Sequence, residues 1–260
     1  MGRVGGLERI ALLGLGIVGC AAGVPRPGLG PPSSPGSSAA RPLAGEHVPT
    51  SVAPRSSPAC PDGMVAVSSF CIDLYEAPNR PGEPPLAMQT AGDGEAWCAA
   101  RGKRLCTESE WVRACEGPTG RRFPYGDEHR PSACNDDRTW RAVDWKALAR
   151  WPEPSALDEA SRLFQGEPSG ARPDCVSAEG VHDLTGNVAE WVRRSEPDPR
   201  PGYQHVLKGC YWAGCYHEPE PNCVFRNSAH PGTFRTYEAG FRCCAGAVTP
   251  ASDATPAPAR

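Results

Sequence analysis

The chain offers no apolar run of membrane-spanning length. The stretch Ile10 to Val18, behind Arg3 and Arg9, stops well short of the roughly 20 residues a transmembrane helix needs. It also lacks a basic excess: 27 Lys and Arg against 30 Asp and Glu leave a formal net charge of -3 with the signs interspersed. No stripe exists that would neutralise phosphates, so nucleic acid is not an expected partner. Internal repeats, a phosphate-cradling glycine loop and a Gly-x-Ser-x-Gly elbow are missing as well, which sets aside solenoids, P-loop enzymes and the usual serine hydrolases.

What the N-terminus has instead is the form of an export signal over residues 1–19, apolar, cationic at its start and removable. Ile17-Val18-Gly19-Cys20 has the shape of a lipobox, so cleavage before Cys20 and acylation of its thiol and amine are expected. Residues 20–58 then form a Pro, Ser, Gly and Ala tether without an aromatic residue, unable to bury enough apolar surface to offset chain entropy. Residues 248–260 read as a tail of the same kind. One domain, 59–247, remains, large enough for its own core. The expected location is a bacterial cell envelope, lipid-anchored on the periplasmic or outer face.

Apolar segments in the domain are short and punctuated by Gly and Pro, which predicts an α+β, loop-rich fold. Two helices are signalled: one capped by Asp93 and ending at Gly102, and one opened by the Thr107/Glu110 capping box and stopped by Gly117. Met64 to Val67, Val206 to Leu207 and Gly240 to Cys243 read as strands.

The densest segment chemically is Gly180-Val181-His182-Asp183-Leu184-Thr185-Gly186-Asn187-Val188-Ala189-Glu190-Trp191. Gly186 and Asn187 permit a left-handed turn, while Asp183, Glu190 and turn carbonyls offer hard oxygen ligands suited to calcium. A Gly-Asn turn with solvated acids is the alternative. Other landmarks follow in order: Cys71-Ile72-Asp73-Leu74-Tyr75-Glu76, Gly102-Lys103-Arg104-Leu105-Cys106-Thr107-Glu108-Ser109-Glu110-Trp111, Phe123-Pro124-Tyr125-Gly126-Asp127, Val206-Leu207-Lys208-Gly209 and Gly240-Phe241-Arg242-Cys243.

Together these segments resemble the formylglycine-generating enzyme family, also called sulfatase-modifying factor domains, over Cys60 to about Ala247. The resemblance implies a compact fold related to C-type lectins. It also implies a calcium site at Asp183, Gly186, Val188 and Glu190, the middle two through backbone carbonyls. By the family pattern, Cys98 bonds Cys243 and Cys115 bonds Cys223.

The chain has 13 cysteines, and setting Cys20 aside leaves an even number in a compartment where disulfides persist. Beyond the two implied pairs, Cys60 and Cys71 are natural local partners across a hairpin. Cys106 replaces a family proline and Cys244 adjoins Cys243, so a second bridge parallel to the first explains both additions. Cys134 and Cys175 bracket the long insertion and can staple it. Cys210 and Cys215 are then left for each other.

That last pair decides the function. In active family members two cysteines with four residues between them follow a Lys-Gly-Gly-Ser segment, bind copper(I) as thiolates and use oxygen to convert a substrate cysteine to formylglycine, a fit of soft ligand to soft metal. Here Cys210 stands at the second glycine, Tyr211 at the serine and Gly214 at the first catalytic cysteine. Two readings stay open. One is a shifted copper site of Cys210 and Cys215, with Tyr211, Trp212 and Arg226 shaping a groove for an exported peptide or protein substrate. The other is a structural disulfide in an inactive member that serves as an envelope binding or scaffolding module. His217 and Glu218 offer an alternative set of metal ligands. His129, His182, His205 and His230 lack the spacing of an iron triad.

Overall fold

A computed structural model describes residues 60–215 and 220–247. The expected signal, Cys20, the tether, the tail, His217 and Glu218 lie outside the described residues.

Two four-stranded sheets carry the domain. Strands β1 (Met64–Val67) and β2 (Phe70–Asp73) form a tight hairpin in which Val67 pairs Phe70. Helix α1 (Ala91–Ala99) follows, then β3 (Arg104–Leu105) and α2 (Glu108–Glu116). The insertion contributes α3 (Trp145–Leu148) and α4 (Pro154–Leu163). Strands β4 (Ala189–Arg193), β5 (His205–Lys208), β6 (Arg226–Asn227), β7 (Ala239–Gly240) and β8 (Cys243–Gly246) complete the chain. The first sheet runs β1-β2-β8-β3 and the second β6-β5-β4-β7, with β4 and β7 parallel.

The Thr107 cap forms as the sequence predicts. Thr107 Oγ1 accepts from the Glu110 amide, the Glu110 carboxylate accepts from the Thr107 amide at 2.9 Å, and Gly117 ends α2 with φ 65°. The first helix starts earlier than predicted. Its cap is Thr90, and Asp93 is the third helical residue, returning a bond to the Thr90 amide at 2.8 Å. The predicted strand from Gly240 to Cys243 also breaks: β7 ends at Gly240 and β8 begins at Cys243. Phe241 and Arg242 cross between the sheets there, one feeding a core cluster and the other turning its guanidinium inward.

One core cluster gathers Trp191, Trp212, Tyr211, Tyr237 and Phe241; a second gathers Trp111, Ile72, Leu184, Val192 and Val206. Arg242 connects the elements around them and is fully buried. Its Nε and Nη2 donate to the two oxygens of Glu190 on β4, at 2.7 and 2.6 Å. Nη2 also donates to the His182 carbonyl at 2.9 Å. Glu190 accepts a further bond, 2.9 Å, from Trp111 Nε1 on α2. A bidentate, fully hydrogen-bonded geometry offsets the cost of desolvating two charges.

Six disulfides tie the loops: Cys60–Cys71, Cys98–Cys243, Cys106–Cys244, Cys115–Cys223, Cys134–Cys175 and Cys210–Cys215. β3 lies beside β8, so Cys98 and Cys106 reach adjacent residues, Cys243 and Cys244. Those two bridges close loops of 145 and 138 residues, where the chain-entropy model gives the greatest stabilisation.

Glu190→Ala removes the counter-ion and leaves Arg242 charged in a dry interior. Chemical denaturation should show a loss of about 3–5 kcal/mol, whereas exposed Arg80→Ala, on a surface pair with Glu83, should change stability by under about 0.5 kcal/mol.

Candidate functional site

The Lys208-to-Cys215 loop leaves β5 through a backbone that only a few residues tolerate. Gly209 has φ +82°, and a Cβ there would stand 2.6 Å from the Leu184 carbonyl oxygen and 3.0 Å from the Trp111 ring. Its own carbonyl accepts from the Gly186 amide at 2.7 Å. Gly186 has φ +76° and would place a Cβ 2.4 Å from the Asn135 carbonyl oxygen. The two motif loops are therefore pressed together at their glycines.

Cys210 follows in the left-handed region, φ 62°, with its side chain buried. A tight turn joins Tyr211 to Gly214, the Gly214 amide donating to the Tyr211 carbonyl at 2.8 Å, and returns the chain so that Cys215 bonds Cys210. The sequence-predicted pair is thus brought together as a disulfide, with Cys215 the partly exposed half. Neither sulfur is available as a thiolate in this state, so the donor set does not fit copper(I).

Tyr211 and Trp212 require a correction: both are buried in the core rather than lining a substrate groove. Trp212 packs edge-on against Phe164 at 5.1 Å between centroids, and its amide donates to the Asn187 carbonyl at 3.1 Å. Arg226 sits on β6, 3.6 Å from Glu108, and lines a separate cavity of about 530 Å³ with Arg200, Asn227 and His230. Lys208 lies behind it, fully buried, donating to the Val224 carbonyl at 3.1 Å. Burial, with the neighbouring Arg226 charge, pulls its ammonium down to about 8 despite the opposing charge of Glu108.

The expected calcium ligands are also redistributed. Both oxygens of Glu190 are held by Arg242, one of them by Trp111 as well, so Glu190 serves as a counter-ion. Asp183 accepts from the Gly170 amide at 2.7 Å. Among the described residues, no three His, Cys, Asp or Glu side chains converge as a metal site. The expected set has only two side chains beside two backbone carbonyls, fewer than such a cluster needs; Glu190 is committed to Arg242, and nothing below is routed through a calcium ion.

Sequence reasoning missed what surrounds that loop. Asn187 (φ 55°) donates to Glu76 at 2.8 Å, exchanges bonds with Asn135, and accepts from the Glu167 amide at 2.8 Å. Glu76, wholly buried, also accepts from Ser169 Oγ at 2.9 Å. Burial and the nearby Asp183 charge push the Glu76 carboxyl up to about 8, and burial raises Asp183 to about 6. Across from Cys215, His129 and Asp136 share a cleft of about 320 Å³. His129 Nε2 and Asp136 Oδ2 stand 3.7 Å apart, each buried without a hydrogen-bond partner. The two residues are only seven apart in sequence, with a turn at Arg130–Ala133 between them, and match no recognised motif.

Two small sheets, a cystine-closed loop after β5 and a glycine-to-glycine contact with the Asp183–Glu190 segment define a disulfide-rich α+β domain. The family model for the sulfatase-modifying factor enzyme 1-like domain matches residues 66–247, and the chain belongs to that family. It is 30% identical over 175 residues to the inactive C-alpha-formylglycine-generating enzyme 2 of Bos taurus, covering 65% of this chain and 52% of that protein. It is 28% identical over 179 residues to the formylglycine-generating enzyme of Mus musculus, covering 62% and 44%. With the hercynine oxygenase of Mycolicibacterium smegmatis it shares 30% identity over 175 residues, covering 58% and 35%. The chain thus spans about half the length, or less, of the curated relatives it matches. Among solved structures, CarF aligns with a TM-score of 0.48 at 13% identity, over 68% of this chain and 86% of that one. PvdO from Pseudomonas aeruginosa aligns with 0.46 at 19%, over 68% and 80%.

The raised carboxyls predict an unusual pH dependence. Between about 4.5 and 8 the native state keeps a proton on Glu76 that the unfolded chain has lost, so stability falls as pH rises through that window. Asp183 acts in the same direction up to about 6. Above 8, depressed Lys208 reverses the slope, because the unfolded chain then binds the extra proton. Melting temperature in a metal chelator should therefore be higher at pH 6.5 than at pH 8, and Glu76→Gln should flatten the difference.

Proposed function

We propose that this chain is an exported, lipid-anchored member of its family that acts as a binding or scaffolding module of the cell envelope, without the copper-thiolate chemistry of active members. The observation that carries the reading is the Cys210–Cys215 disulfide, whose first sulfur is buried immediately after Gly209. Copper(I) needs two free thiolates, and the chain has moved its pair four residues toward Lys208 and joined it. The burial of Tyr211 and Trp212 supports the same conclusion, since side chains that would shape a peptide groove are spent on the core. Similarity to relatives named as inactive agrees with it.

Export is supported by the six disulfides among the described residues, a density suited to an oxidising compartment. Lipid anchoring rests on Ile17-Val18-Gly19-Cys20 followed by the Pro-rich tether. The partner of such a module is an exported peptide or protein.

One observation favours the oxidase reading instead: Cys215 is partly exposed on the cleft that also holds His129 and Asp136. A reductant reaching it would free two thiols for copper(I) and for oxygen-dependent oxidation of a substrate cysteine. An anaerobic copper(I) titration against a competing chelator, after mild reduction, separates the two. The scaffold reading predicts no tight equivalent and no difference between wild type and Cys210→Ser. One tight equivalent lost in Cys210→Ser would establish a thiolate copper site and make peptide oxidation the working model.

A further inference from the structure

Two buried acceptors that meet no donor mark the cleft beside Cys215. Asp136 has 2% of its side-chain surface exposed, and its Oδ2 lacks a hydrogen-bond partner. Facing it at 3.7 Å is His129 Nε2, also buried and also without a partner. The gap is too wide for a hydrogen bond between them. A carboxylate oxygen withdrawn from water with nothing donated to it is costly, so a group of this kind calls for an ion or a water that completes its site.

The surrounding backbone holds both groups in place. On one side of Asp136 the Asn135 carbonyl accepts from the Asn187 amide at 2.7 Å, and on the other the Arg138 amide donates to the Trp212 carbonyl at 2.7 Å. The Ala133 amide donates to the Arg130 carbonyl at 3.1 Å, a turn that brings His129 back toward Asp136, where its ring lies 5.5 Å from that of Phe123. The cleft of about 320 Å³ is lined by both residues, by Asp137 and by Cys215; among the described residues no Lys or Arg lines it. The cations around it are engaged elsewhere. Arg172 donates to both oxygens of Glu167 at 2.8 and 2.9 Å and reaches Asp137 only at 3.9 Å. Arg130 lies over the Tyr125 ring with Asp174 at 3.9 Å, and Arg122 pairs with Glu220. Two carboxylates therefore face the cleft without a side-chain cation inside it.

We propose that His129 Nε2 and Asp136 Oδ2 together bind a zinc ion, with water from the cleft in its remaining positions. Zinc takes imidazole nitrogen and carboxylate oxygen at about 2.0–2.2 Å, and at a tetrahedral angle two such donors stand roughly 3.3–3.5 Å apart. A separation of 3.7 Å thus closes on the ion by a shift of a few tenths of an ångström. Calcium and magnesium are the poorer match, since they prefer sets made of oxygen alone. Two protein donors are fewer than most zinc sites use, so binding is weaker than in a closed structural site and leaves positions open. A bridging water would satisfy both acceptors but leave the charge of Asp136 unneutralised. The inference draws on neither the Asp183–Glu190 segment nor the thiols of Cys210 and Cys215.

The test uses the full chain carrying Cys20→Ala, so that no thiol outside the domain takes up metal, in chelator-free buffer near neutral pH. Calorimetric titration with zinc should show one equivalent that excess calcium or magnesium does not displace, and zinc should raise the melting temperature. His129→Ala and Asp136→Asn should each weaken binding by at least about tenfold, since disturbing even an outer-shell partner of a metal ligand costs that much. Asp136→Asn carries a second readout. Without metal it should melt no lower than the parent, because it removes a buried charge that nothing neutralises, yet it should lose the rise caused by zinc. Absence of any zinc equivalent in the folded parent would overturn the proposal and leave a bridging water as the occupant. An equivalent retained in the variant combining His129→Ala with Asp136→Asn would overturn it too, by assigning the zinc to other donors. A thiol count on a separate sample reports the state of Cys210 and Cys215, so a failure of the disulfide reading is seen apart from a failure of this one.

Discussion

The buried pair of Arg242 and Glu190 is the constraint on which the rest of the structure depends. Arg242 stands at the two-residue crossing between β7 and β8, the point where the chain leaves one sheet for the other. Its guanidinium reaches β4 through Glu190, the turn at His182, and, at 3.4 Å, the end of β2 through the Asp73 carbonyl. Through Glu190 it also fixes Trp111, and so α2. Packing alone does not choose among arrangements of short strands, since several satisfy the same apolar surface. The bidentate, fully buried charge pair ties these particular elements together, in a geometry that offsets the cost of desolvating two charges.

That arrangement decides what the site can do. Trp111, held by Glu190, packs against Gly209, and Gly209 receives the Gly186 amide, so the loop bearing the cysteines is fixed from beneath by the charge pair. Cys210 then has no freedom to swing outward and pairs with Cys215 across a tight turn. The same centre explains the displaced chemistry of the Asp183–Glu190 segment. Its acids serve the interior: Glu190 neutralises Arg242, and the Asp183 charge adds to burial in raising the carboxyl of Glu76, which lies just after β2. The segment also forms a hydrogen-bonded brace in which Asn187 joins Glu76, Asn135 and the Trp212 turn.

Much of the frame was legible because its signals are local. Thr107 and Glu110 announce α2 by their spacing, and Gly117 ends it. The bridges are not local: the family resemblance implies Cys98–Cys243, and the additional Cys106 and Cys244 then point to a second bridge beside it. The misreadings arise where distant residues decide. Asp93 looks like a cap until Thr90 takes that role and leaves Asp93 to complete the box. Gly240 to Cys243 looks like one strand, yet Arg242 must turn inward toward a carboxylate 52 residues away in sequence. Tyr211 and Trp212 look like groove residues beside two cysteines, but the left-handed backbone at Cys210 precedes a turn that buries both rings. The helices of the insertion escaped notice because Pro154 opens α4 without a side-chain cap and the four-residue α3 carries almost no periodicity. His129 and Asp136, seven residues apart, match no motif that would mark them as a pair.

The family resemblance defines the scaffold; the oxidation state of one cysteine pair defines what the scaffold is for. The most direct measurement is a peptide map, under non-reducing and thiol-blocking conditions, of the protein isolated from the cells that make it. The account predicts that Cys210 and Cys215 are recovered quantitatively as one internally linked peptide with no blocked thiol at either position. Recovery of both residues as blocked, initially free thiols, with the other five bridges intact, would contradict it and restore the pair as a metal-binding site.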